Sequence, residues 1–202
     1  MRELLTQPGG REVAEVLPAE LEERLARGWR VGPGGSLLLA PPDDFLNGQS
    51  VVPADEVGAY EYRHNDFRVP DDDLARDVAS FASRLTAGGA LVDDDHIDYR
   101  TPEGELPEQV RRFLSGAASR GLAFASRALA RALQQQPDAA GALVSVISTG
   151  VAGDVLVHGT AVKFTTARGR PSGWFDPRWF DDLERFKLDA MAVLSISDAR
   201  PS

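Results

Sequence analysis

From Glu108 to Gln136 the chain runs without a proline, between Pro107 and Pro137, and is built mainly of Ala, Leu, Arg, Ser and Gln. Such residues favour helix, so the stretch predicts one long helix over about 107–136, with Gly116 and Gly121 as possible breaks and Pro137 as its stop. A helix of this kind needs one face covered. Leu122, Leu129 and Leu133 mark that face, while Arg120, Arg127 and Arg131 cluster within about 40° on the opposite one at ~100° per residue.

What covers the helix must come from segments with other periods. Ala142–Ser148 is an apolar run rich in β-branched residues, and Gly150-Val151-Ala152-Gly153-Asp154 turns it back into Val155–Thr166, a hairpin pattern. A second hairpin is predicted from Trp29–Val31 and Leu37–Leu39 around Gly32-Pro33-Gly34-Gly35. Tyr60-Glu61-Tyr62, Ala90–Val92 and Ala192–Ile196 read as further strands. Helical spacing recurs over 11–27, interrupted at Pro18 and stopped by Gly28. It recurs again from Asp71-Asp72-Asp73 through Leu74, Val78, Phe81 and Leu85 to Gly88-Gly89. Asp176-Pro177 is a strong helix start, followed by Trp179, Leu183, Phe186 and Ala190 on one face. Strands come in hairpins and do not alternate strictly with helices. That predicts an α+β fold, a single domain over 1–202 with a largely antiparallel sheet and three or four packed helices. Residues 197–202 read as a disordered tail.

Charge narrows the function. The formal charge is −9, which argues against a general binder of nucleic acid or anionic membrane. No apolar run is long enough to span a membrane, and the first residues carry no signal peptide. The chain has no cysteine, which rules out disulfides, zinc–thiolate centres, iron–sulfur clusters and thiol nucleophiles. These points predict a cytoplasmic protein. Of the 22 basic residues only Lys163 and Lys187 are lysine, a bias matching a high-GC bacterial source.

The most reactive-looking stretch is Asp93-Asp94-Asp95-His96-Ile97-Asp98-Tyr99, which places an imidazole among carboxylates. On one extended strand Asp94, His96 and Asp98 would share a face, fit to hold a divalent metal or to orient a catalytic His. If the chain turns at Asp94-Asp95, the same residues become a charged hairpin tip. A calcium-binding EF-hand loop fails, because a start at Asp94 puts Tyr99 where glycine is required. His64 and Asp66, in Tyr60–Arg68, form the second candidate acid/base pair, and the aromatic and charged mix around them also suits a polar ligand. His158 lies on an apolar strand and gains interest only if it meets His96 in space.

Phosphate-loop, dinucleotide, flavin, nucleophile-elbow and zinc-protease signatures are absent. Arg111 to Gln136 holds five arginines and no acid, and Phe124 falls beside them. Arg120, Arg127, Arg131 and Phe124 therefore form a candidate docking face for a partner with an acidic surface or for a small anionic ligand. Two functions follow. One is a binding or accessory protein that uses the arginine face and the acidic 41–70 region. The other is a small enzyme without an organic cofactor, metal-assisted through Asp94, His96 and Asp98.

Overall fold

In the computed structural model, the residues described are 16–42, 51–71, 73–74, 91–93, 96–97, 108–140, 143–151, 158–166 and 190–195. The fold is α+β, with antiparallel sheets and, among the described residues, three helices of two turns or more.

Helix α1 (Ala19–Arg27) begins directly after Pro18, whose carbonyl accepts hydrogen bonds from Leu21 and Glu22. Leu21 and Leu25, one turn apart, are its buried side chains, while Glu20 and Glu22 lie in its first turn and Arg24 and Arg27 in its last, matching the helix dipole. Gly28 ends the helix at φ +74°, a left-handed conformation that a side chain resists. The chain then forms the expected hairpin of β1 (Trp29–Val31) and β2 (Leu37–Leu39), with Trp29 opposite Leu39.

Helix α2 (Val57–His64) replaces the strand expected at Tyr60-Glu61-Tyr62. Its buried positions are Val57, Gly58 and Glu61, and its C-cap Asn65 is buried too; the spacing of four from Val57 through Glu61 to Asn65 places those three on one helical face. Because two of those three are polar, the amphipathic pattern is invisible to a count of apolar residues. Next come β3 (Asp66–Val69) and a small hairpin of β4 (Leu91–Asp93) and β5 (His96–Ile97).

Helix α3 (Glu108–Gln135) runs unbroken through Gly116 and Gly121. At Gly121 an added Cβ would lie 2.5 Å from Thr160 Cγ2, so the glycine marks the close approach of helix to sheet. After the single turn α4 (Pro137–Ala140), strands β6 (Leu143–Val151) and β7 (His158–Thr166) form the second predicted hairpin, and β8 (Ala190–Ser195) pairs with β6. The sheet order is β3-β7-β6-β8, with every neighbouring pair antiparallel.

The core lies between α3 and this sheet, closed at one end by α1 and the β1–β2 hairpin. Trp29, Phe67, Phe124 and Phe164 meet edge to face, with ring centroids 5.3–6.0 Å apart. Each such pair adds about 0.5–1.5 kcal/mol beyond area burial. Trp29 also donates from Nε1 to the Ala128 carbonyl at 2.8 Å, and its backbone N–H donates to Gln135 Oε1. The buried stripe of α3 is Phe124, Ala125, Ala128, Leu129 and Ala132, with Leu122 and Leu133 only partly covered. Alanines carry most of that face because helix and sheet approach too closely for larger residues. The expectation from leucine spacing was therefore rotated around the helix.

Gly150 and Val151, expected in the turn, continue β6, while residues 152–157, the predicted helices after Asp73 and after Asp176, most of the 41–50 region and the tail lie outside the described residues.

Candidate functional site

The 57–69 segment positions two different sets of polar groups, one inward and one outward. Inward, Glu61 and Asn65 are fully buried between β2 and the end of β7. Glu61 Oε1 accepts the Leu37 N–H at 2.7 Å, and Oε2 accepts the Thr166 N–H and hydroxyl at 2.6 and 2.5 Å. Asn65 accepts the Leu39 N–H at 2.9 Å and donates to the carbonyls of Leu37 and Phe164. Its own backbone carbonyl accepts the Phe164 N–H. Backbone groups along β2 and the end of β7 are thus satisfied by two side chains acting as a strand substitute. Thr165 closes the seam by donating its hydroxyl to Gly58 O at 2.8 Å. The chemistry here is structural. Neither Glu61 nor Asn65 was singled out by its own sequence signal; the spacing of 57, 61 and 65 is the clue that could have found them.

Outward, the same segment carries aromatic and basic side chains. The His64 ring stacks on Tyr60 with centroids 4.2 Å apart, and its Nδ1 lies 2.8 Å from Tyr60 O. A carbonyl only accepts, so Nδ1 carries a proton in this arrangement. Burial raises the Tyr60 hydroxyl above its ordinary pKa. Asp66 pairs with Lys163, its cross-strand neighbour, at 2.8 Å, and the Lys163 ammonium lies 4.5 Å from the Tyr62 ring centroid. These are the contacts of the two residues expected from sequence as an acid/base pair. His64 is tied to Tyr60 on the helix, and Asp66 to Lys163 on the sheet.

The arginine face is not a continuous surface. Arg120 is buried, with 5% side-chain exposure, and its two terminal amino groups grip Asp73 at 2.7–2.8 Å while one also reaches Pro70 O. This pair ties the end of β3 to α3. The Arg120 contact holds the Asp73 carboxyl below its ordinary pKa. Phe124, expected beside the arginines as an interface anchor, is instead fully buried among Phe67 and Phe164. Arg127 is exposed but makes a two-pronged pair with Glu22 of α1 at 2.6 and 2.8 Å. Arg131 is half-buried. The reason is again the alanine face: a helix seated so close to the sheet is covered over far more of its circumference than leucine spacing indicates.

In the acidic cluster, the chain reverses between β4 and β5, with Asp93 opposite His96. Asp94 and Asp98 lie outside the described residues, as do the side chains of His96 and His158. Among the described residues no three His, Asp or Glu side chains group as metal ligands. No helix among them is long and apolar enough to cross a membrane. A scan against protein-family models, a search of curated proteins and a search of solved structures each found no match.

Proposed function

We propose that this chain is a binding or accessory protein whose contact surface is the outward strip of α2 and β3. The arginines of α3 are replaced in that role because the fold uses Arg120 and Arg127 internally. The observation that carries the reading is the exposure of Arg63 and His64 on α2 and of Arg68 on β3, with Tyr60 and Tyr62 of α2 half-buried and Lys163 of β7 set against Tyr62. Tyrosine and arginine are the residues that anchor interfaces, since they combine large contact area with few rotatable bonds and directed hydrogen bonds. The absence of cysteine and the arginine bias support a bacterial cytoplasmic setting.

The test is affinity purification with wild type, Arg63→Glu/Arg68→Glu and Arg112→Glu/Arg127→Glu. The first double variant is expected to lose a partner that the second retains. The reverse pattern returns the contact to α3 and refutes this reading. A second reading, a metal-assisted enzyme at the Asp93–Asp98 cluster, is favoured by the cross-strand register of Asp93 and His96. It requires selective thermal stabilisation by one divalent metal that is lost in His96→Ala.

A further inference from the structure

We draw no further inference here: the strongest candidate, the outer edge of β1 in the β1–β2 hairpin, where exposed Arg30 and Val31 lie on a strand that pairs only with β2 among the described residues, carries nothing because no feature of the structure shows what covers it.

Discussion

Replacing Glu61 removes the acceptors of three donors: the Leu37 N–H, the Thr166 N–H and the Thr166 hydroxyl. A buried donor left unpaired costs about 1–3 kcal/mol. Glu61→Leu therefore costs about 3–5 kcal/mol once partial relaxation of the three is allowed, a large part of a typical 5–15 kcal/mol stability. Glu61→Gln is a finer probe. Its carbonyl can serve the two Thr166 donors, but its amide then points an N–H at the Leu37 N–H, so about 1–3 kcal/mol is expected from that one site. Glu56→Gln, on an exposed neighbour, is the control and should stay within about 0.5 kcal/mol. Urea unfolding reads these values as midpoint shifts, and hydrogen exchange reads them locally as faster exchange at Leu37, Leu39 and Thr166. If Glu61→Leu and Glu61→Gln both fall within the control's range, the seam is not what joins β2 to β7.

Gly121→Ala should destabilise by about 1–3 kcal/mol through the 2.5 Å clash with Thr160 Cγ2, and Thr160→Ser, which removes that methyl, should abolish the penalty in a double-mutant cycle. Phe124→Ala should cost about 3–5 kcal/mol in denaturant unfolding, as expected of a core ring and not of a surface anchor. Asp73→Asn should lower stability at neutral pH by about 1–2 kcal/mol, discounted because the Asp73 side chain is 63% exposed. The folded pKa of Asp73 lies below its ordinary 3.8, so the stabilisation is complete above that value and is lost as pH falls through the folded one. The gap between variant and wild type should close at acid pH in the same unfolding assay.

Legibility in the sequence followed how openly each element shows its buried face. The β1–β2 and β6–β7 hairpins were readable because glycine-rich turns and β-branched runs are local signals. The long helix was readable in extent but not in orientation. Its inward residues are largely alanine, whose small size lets α3 approach the sheet at Gly121 and draws Arg120 and Phe124 inside. Helix α2 was misread because its inward positions are Glu61 and Asn65. Those two residues make sense only when β2 and β7, drawn from distant parts of the chain, are brought to either side of them. The candidate site behaved likewise. His64 and Asp66 were visible as residue types, but a neighbour one turn back and a lysine on β7 decide what each does.

The most direct test of the account is photo-crosslinking in cells, with a benzophenone amino acid at position 63 or 68 on the α2–β3 strip and at 112 or 127 on α3. The account predicts a discrete crosslinked partner from 63 and 68 that is absent from 112 and 127. Crosslinks confined to the α3 positions would contradict it, and would return the working surface to the arginine face that the helix pattern first suggested.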